Sequence, residues 1–102
     1  MTSTDLMYVA GDVVPMGEAR VSALDAGLLL GAGLFETLRT YGGRPFRLGA
    51  HLARLRASGE ALRILVGETD DAIAAVIDRL VAENGVPDAR IRLTATRGPV
   101  RS

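Results

Sequence analysis

The chain has 102 residues, 48% of them hydrophobic, which is enough for one domain with a core of its own. It has no cysteine and one histidine, which argues against disulfides and against a metal site. A formal net charge of zero argues against a nucleic-acid partner. The longest apolar run, residues 26–35, is about half a membrane span, and the acidic N-terminus is unlike a signal peptide. We therefore expect a cytoplasmic protein without a membrane partner.

The first half of the chain predicts short strands joined by tight turns. The segment LMYVAGDVVP predicts a hairpin around Gly11, and EARVSAL is a candidate for a third short strand. Residues 26–31 predict a loop or a single helical turn, and residues 34–41 a strand. The segment YGGRPFR predicts a second hairpin with Gly42 and Gly43 at its turn.

The second half predicts two helices and a last strand. The first helix covers Leu48–Leu62, and its predicted core face consists of Leu48, Leu52, Leu55, Gly59 and Leu62. The second helix begins after Thr69 as its cap, carries an apolar stripe from Ile73 to Val81, and ends at Gly85. The segment ARIRLTATRG alternates apolar residues with arginine and threonine, which predicts a strand with one polar face. The expected fold class is α+β, an antiparallel sheet with two main helices.

Three polar residues of the first helix, His51, Arg54 and Ser58, lie at i, i+3 and i+7 beside its apolar stripe. Such an arginine could hold a phosphate dianion, because the guanidinium fork matches phosphate. The alternative, which the spacing alone favours, is a surface arginine whose stem covers leucines. The spacing leaves both interpretations open. Arg56 is predicted to lie on the more exposed side of the same helix.

Positive charge is concentrated in residues 36–63 and 88–102, and all twelve basic residues are arginine. Arg90 and Arg92 share the polar face of the last strand, and Arg97 follows at its end. Like charges on one strand face are unfavourable unless an anion or an acidic neighbour compensates them. A substrate carboxylate is one candidate, and the acidic second helix is the other.

The segment DAGLLLGAGLFET, residues 25–37, places three leucines among three glycines. It lacks the lysine of a phosphate-binding loop and the glycine spacing of a dinucleotide site. The glycines allow the backbone to approach a ligand or a second chain, or simply form a tight connection under the sheet. We expect the leucines to anchor this segment in the core.

The order of motifs YVAGDVVP, ARVSALDAGLLLGAGLFETLR, GRPFRLGAHLARL and RIRLTATRG resembles the N-terminal domain of the class IV aminotransferases. These fold type IV pyridoxal-phosphate enzymes include branched-chain aminotransferase, D-amino-acid aminotransferase and aminodeoxychorismate lyase. Leu30 stands where the family commonly has an aromatic residue and Ala32 where it commonly has aspartate. The positions that match the family pattern in this region are Asp25, Gly27, Gly31, Gly33, Phe35 and Glu36.

The resemblance implies a role for four residues. Arg54 matches the arginine that holds the phosphate of pyridoxal 5'-phosphate. Arg92 matches an active-site arginine of branched-chain enzymes, and Arg97 matches the arginine with which D-amino-acid enzymes bind the substrate carboxylate. Phe35 would form a wall of the substrate pocket. No catalytic residue and no metal ligand is expected within this chain, and the family implies a homodimer.

We therefore expect residues 1–102 to be the N-terminal domain of such an enzyme, with the C-terminal domain that carries the cofactor's lysine absent. The chain contains no lysine, so we expect it to be inactive alone. The implied reaction is amino transfer from an amino acid to a 2-oxo acid, or the conversion of aminodeoxychorismate to 4-aminobenzoate. The alternative is a stand-alone, non-catalytic module that binds an anion or a protein through the same arginines.

Overall fold

The structure is a computed structural model, and it describes residues 5–100. The predicted succession of a hairpin, a strand, two helices and a last strand is confirmed. The elements in chain order are β1 (Leu6–Val9), β2 (Asp12–Pro15), a 3-10 turn (Met16–Glu18), α1 (Ala26–Leu30), β3 (Gly33–Tyr41), β4 (Arg44–Pro45), α2 (Leu48–Leu62), α3 (Asp70–Asn84) and β5 (Arg90–Thr96).

The described strands form two antiparallel sheets instead of the single sheet that we expected. β1 and β2 pair with each other, while β3 is the central strand of a sheet with the order β4-β3-β5. In the β3–β5 ladder Thr37 lies opposite Arg92 and Leu38 opposite Ile91. The α+β class is confirmed, and β3 is the element around which the second sheet is organised.

Local sequence signals explain where several elements begin and end. The Thr69 side chain accepts a hydrogen bond of 3.1 Å from the Ala72 amide and so caps α3, which ends at Gly85 in the left-handed conformation. Gly42 and Gly43 have φ values of 57° and 82° and form the turn between β3 and β4. Two consecutive positive φ angles are what a tight hairpin turn requires, and glycine adopts them without strain.

The core lies between α2, α3 and the inner face of β3. Its buried apolar residues are Ala26, Leu38, Leu52, Leu55, Ile64, Ile77 and Val81. Thr40 is the one buried polar residue among the described residues, and its hydroxyl donates to the Pro87 carbonyl at 2.8 Å and accepts from the Ala89 amide at 2.8 Å. Both hydrogen-bonding functions of this hydroxyl are satisfied, so its burial is not penalised.

The predicted core face of α2 is correct in its centre and wrong at its end. Leu52, Leu55 and Gly59 are buried and Leu48 is half-buried, but Leu62 is 48% exposed. The chain folds back after α2, where the Ile64 amide donates to the Gly59 carbonyl at 2.7 Å. A Cβ atom on Gly59 would lie 2.4 Å from the Ile64 carbonyl oxygen, so only glycine permits this reversal. Ile64 therefore fills the core position that periodicity assigned to Leu62.

The proposed third strand in EARVSAL is not formed. Residues 16–18 make a 3-10 turn, residues 19–24 have no strand, and Val21 and Leu24 are exposed. Within residues 5–100, both edges of β3 are taken by β4 and β5, and β2 is paired with β1. Residues 19–24 pair with none of these strands, so the segment gains no ladder hydrogen bonds. No helix in this same range is long and apolar enough to cross a lipid bilayer.

The glycine- and leucine-rich segment is held by its polar residues, and the expectation that its leucines reach the core is wrong. Asp25 caps α1 by accepting from the Gly27 amide at 2.8 Å, and it also accepts from the Thr96 hydroxyl at 2.9 Å. A Cβ on Gly27 would lie 2.6 Å from the Thr96 methyl carbon, so this glycine permits close approach to β5. The three leucines that follow are exposed: Leu28, Leu29 and Leu30.

Candidate active site

The predicted site residues lie on both faces of the β3–β5 ladder. Side chains alternate along a strand, so Phe35 and Glu36 point to opposite faces. Glu36 lies on the face covered by α2, together with the buried Leu38. Phe35 and Arg92 lie on the opposite face, which we call the open face, because Arg92 lies over the Phe35 ring.

On the covered face, Glu36 contacts His51 and Arg54, the two α2 residues that lie one turn apart. Arg54 donates to both oxygens of the Glu36 carboxylate, with Nε–Oε2 at 3.0 Å and Nη2–Oε1 at 2.8 Å. His51 places its Nδ1 atom 2.8 Å from Oε1. The side chains of Glu36 and Arg54 are 12% and 66% exposed, so the carboxylate is held inside while the guanidinium reaches the surface. We call Glu36, His51 and Arg54 the carboxylate cluster.

The charges in this cluster stabilise one another. The hydrogen bonds from Arg54 and then from His51 lower the pKa of Glu36, and they outweigh the opposing effect of desolvation. The hydrogen bond to the Glu36 carboxylate in turn raises the pKa of the Arg54 guanidinium. An ionised carboxylate only accepts hydrogen bonds, so His51 Nδ1 carries the hydrogen that points to Oε1. Glu36 is therefore ionised at neutral pH and Arg54 is a permanent cation.

The donors that remain on Arg54 fit a phosphate group. Its Nε and Nη2 atoms donate to Glu36, whereas Nη1 donates to no atom of the described residues. A guanidinium has five N–H donors, so it can keep a carboxylate on one edge and bind a phosphate oxygen through the rest. The exposed position of this guanidinium leaves Nη1 accessible. The chemistry of this donor set is thus compatible with pyridoxal phosphate.

On the open face, the Arg92 guanidinium lies 4.1 Å from the centre of the exposed Phe35 ring. This is a cation–π contact, and it presents a cation and an apolar surface side by side. Arg39 and Arg90 are also exposed and face each other across the two strands. The expected alternative, pairing of Arg90 and Arg92 with the acidic helix, is wrong, because neither forms an ion pair within residues 5–100.

Arg97 lies apart from Arg92. Its Nη2 atom donates to the Leu62 carbonyl at the end of α2, at 2.9 Å. This contact places Arg97 on the side of α2, while Arg92 lies on the open face of the sheet. The structure therefore brings Phe35 together with Arg92 and Arg54 together with His51, and it does not bring Arg92 and Arg97 into one cluster.

The expectation that Arg56 is on the more exposed side of α2 is wrong. Its side chain is 36% exposed, less than that of Arg54. It donates to the carbonyls of Val66 at 3.0 Å and Glu68 at 2.7 Å and pairs with Asp70 at 2.7 Å. Arg56 thus ties α2 to the loop before α3. Spacing along one helix could not show this, because all three partners belong to the following segment.

Sequence reasoning assigned no role to Glu36, although a signal was present. Glu36 stands between Leu34 and Leu38 on the apolar side of an alternating strand, where an unpaired carboxylate would be costly. That position requires a cationic partner from the covering helix. Ser58, which we had grouped with His51 and Arg54, is exposed on α2 and has no hydrogen bond to the carboxylate cluster.

Two open clefts of about 420 and 480 Å³ lie away from these residues. One is at the end of α2, between Arg56 and Val66, and the other is between α3 and the turn at Gly43. Neither is lined by any of the four predicted site residues. Because Phe35, Arg54 and Arg92 are all exposed, the candidate site lies at the surface of the described residues, in contrast to the concave pockets in which small ligands usually bind.

Comparison with known proteins agrees with the motifs. The family described as "Amino-transferase class IV" matches residues 33–101, a range that contains Phe35, Arg54, Arg92 and Arg97. The chain is 36% identical over 95 residues to the aminodeoxychorismate lyase of Bacillus subtilis, with 91% of the chain and 32% of that protein covered. It is 33% identical over 86 residues to a D-alanine aminotransferase of Listeria innocua, with 84% and 30% covered.

A solved structure gives the same result. The branched-chain aminotransferase of the thermophilic archaeon Thermoproteus uzoniensis, solved with norvaline, superposes with a TM-score of 0.77 at 32% sequence identity. The superposition covers 90% of this chain and 33% of that one. The chain thus spans about a third of the length of the relatives that it matches.

Proposed function

The chain belongs to the class IV amino-transferase family, and from this membership we propose that it is the N-terminal domain of a pyridoxal-phosphate-dependent aminotransferase or aminodeoxychorismate lyase. The observation that carries the proposal is the family match over residues 33–101, which includes all four candidate site residues in order. Relatives of both reaction classes match the chain, so both reactions are retained.

We assign the cofactor phosphate to Arg54, because its Nη1 edge is free and accessible while Glu36 and His51 fix the opposite edge. We assign the substrate to the open face, where Arg92 would bind a carboxylate and Phe35 would pack against the carbon skeleton. Arg97 is a second candidate for the carboxylate, and it would have to leave the Leu62 carbonyl to bind one.

Pyridoxal phosphate, when bound, supplies the electron sink for chemistry at the amino-bearing carbon. This chain would contribute orientation and charge: a cation for the phosphate and a cation for the substrate carboxylate. The chain has no lysine that could hold the cofactor covalently. We therefore propose that this lysine belongs to another part of the full-length protein and that residues 1–102 alone are inactive.

The experiment is an activity assay of the full-length protein with added pyridoxal phosphate. The substrates are L-valine, D-alanine and L-glutamate with matching 2-oxo acids, and aminodeoxychorismate with detection of 4-aminobenzoate. We expect turnover of one of these classes by the full-length protein and none by the 102-residue chain. Absence of every activity from a folded, cofactor-loaded protein would contradict the proposal. The alternative of a non-catalytic binding module is not favoured by the family match.

We also propose that the full-length protein is a homodimer located in the cytoplasm. The exposed leucines of α1, Leu28, Leu29 and Leu30, lie close in sequence to the exposed Phe35 and form an apolar surface. Such surfaces commonly mark protein interfaces. The cysteine-free composition suits a reducing compartment. Light scattering of the wild type and of a Leu28→Asp variant tests the interface, and we expect the variant to dissociate.

A further inference from the structure

The fold and the proposed substrate contacts leave Glu36 unexplained. Its side chain is 12% exposed on the apolar side of β3, where a hydrophobic residue would pack against α2 without any desolvation cost. An ion pair with one exposed partner contributes little to stability, so stability alone is a weak reason for a carboxylate here. The cation with which this carboxylate pairs is Arg54, the residue assigned to the cofactor phosphate.

We propose that Glu36 is a positioning residue that holds the Arg54 guanidinium in the orientation in which Nη1 binds the phosphate of pyridoxal phosphate. The proposal rests on the proposed function, because it assumes that Arg54 contacts this phosphate. Glu36 itself does not contact the cofactor in this role. It acts through Arg54 alone.

The geometry of the carboxylate cluster supports this role. Arg54 makes three contacts with one carboxylate, from Nε at 3.0 and 3.1 Å and from Nη2 at 2.8 Å, so the plane and the direction of its guanidinium are both determined. His51 Nδ1 contacts the same Oε1 atom at 2.8 Å and so adds a second restraint on the rotation of the carboxylate. His51 and Arg54 are three residues apart on α2, so one helix presents both.

Fixing Arg54 in advance matters because its side chain is 66% exposed. A free arginine at the surface samples many rotamers. A ligand that binds it fixes one rotamer, and the conformational entropy that is lost reduces the affinity. The Glu36 carboxylate also repels a phosphate dianion. It occupies the Nε–Nη2 edge, however, while the free Nη1 atom is elsewhere on the guanidinium. We therefore expect orientation to outweigh repulsion.

The test compares two ligands with the full-length enzyme: pyridoxal phosphate, and pyridoxal, which lacks the phosphate. Dissociation constants are measured by fluorescence titration for the wild type, Glu36→Gln, Arg54→Ala and the double variant. We expect Glu36→Gln to weaken pyridoxal phosphate roughly three- to thirtyfold and to leave pyridoxal unchanged. In the Arg54→Ala background we expect it to have no further effect. Glu83→Gln, at the exposed pair with Arg79, is the matched control and should bind as the wild type.

The outcomes separate this inference from the proposed function. If Arg54→Ala binds pyridoxal phosphate as the wild type does, Arg54 does not bind the phosphate. The positioning role of Glu36 is then wrong as well. If Arg54→Ala is weaker but Glu36→Gln binds equally or more tightly, only the positioning role is wrong. Equal weakening of both ligands by Glu36→Gln would show a structural effect and overturn the positioning role. Should Glu36→Gln fail to fold, Glu36→Asp is placed in the same cycle, with a smaller loss expected only when Arg54 is present.

Discussion

The two faces of the β3–β5 ladder differ in whether their charged side chains form ion pairs. On the covered face, one carboxylate is paired with Arg54 and His51 inside the chain. On the open face, Arg39, Arg90 and Arg92 are exposed, and no ion pair compensates them within residues 5–100. Charges that are paired within the chain position its own side chains. Charged side chains that are left unpaired can bind a ligand or another part of the protein.

The largest expected effect tests whether packing, and not charge, maintains the covered face. Leu52 is 1% exposed between α2 and β3. Leu52→Ala should lower the free energy of unfolding by about 2–5 kcal/mol, because it removes buried contacts and leaves a cavity. Leu65, which is 89% exposed, is the control, and Leu65→Ala should change stability by less than about 0.5 kcal/mol. Urea unfolding measures both, and similar losses would contradict the assigned core.

The next effect concerns Arg54. This residue pairs with Glu36 on the covered face and also has a free Nη1 donor that could bind a ligand. If the full-length protein binds pyridoxal phosphate as proposed, Arg54→Ala should weaken that binding by about 1.5–3 kcal/mol, roughly ten- to a hundredfold. Arg54→Lys should recover only part of this loss, because an ammonium cannot reproduce the guanidinium fork. Equilibrium dialysis at one ionic strength provides the constants.

The control for that experiment is Arg79→Ala, at an exposed ion pair with Glu83 on α3. Arg56, which lies on the same helix as Arg54, is unsuitable as a control because it bonds to two loop carbonyls. Unchanged affinity in Arg54→Ala would make Arg54 a surface residue whose only function is to pair with Glu36.

A smaller effect distinguishes the two arginines of α2, Arg54 and Arg56. Arg56→Ala removes the contacts with Val66, Glu68 and Asp70 and should destabilise the chain by about 1–2 kcal/mol without changing cofactor affinity in the full-length enzyme. Arg54→Ala should show the opposite pattern, with cofactor affinity changed more than stability. Thermal unfolding together with cofactor titration of both variants distinguishes them, and a common pattern would show that the two arginines have the same role.

The smallest effect is the pH dependence that the carboxylate cluster adds to stability. The pKa of Glu36 is lowered in the folded state by Arg54 and His51, so the unfolded state binds its proton more readily. The stabilising contribution is therefore present above the ordinary glutamate pKa, about 4.3, and is lost as the pH falls through the lowered value. The free energy of unfolding is measured at several pH values between neutral and acidic. Its decrease with falling pH should be less steep in Glu36→Gln than in the wild type. An unchanged slope would mean that the pair contributes nothing to stability.

Much of the architecture could be predicted because its signals are local. Thr69 and Gly85 bound α3, two glycines specify the turn after β3, and leucines at helical spacing locate α2. The errors occurred where distant contacts decide the outcome. Leu62 was assigned to the core because periodicity continues to the end of α2, but the reversal at Gly59 buries Ile64 in its place. The leucines of α1 were predicted to lie in the core because they are hydrophobic. A run of hydrophobic residues does not show whether it faces the core or the surface.

The candidate site shows the same division. The resemblance predicts Phe35, Arg54, Arg92 and Arg97 as site residues, and the range of the family match contains all four. The element order, the caps and turns, and the residue types that can bind anions follow from local signals in the sequence. Only the fold shows that Glu36 and Arg54 meet although they are 18 residues apart, and that Arg92 and Arg97 point to different sides. The physical reason is that propensity and capping act within a few residues, whereas pairing between a strand and its covering helix depends on how the whole chain closes around the core.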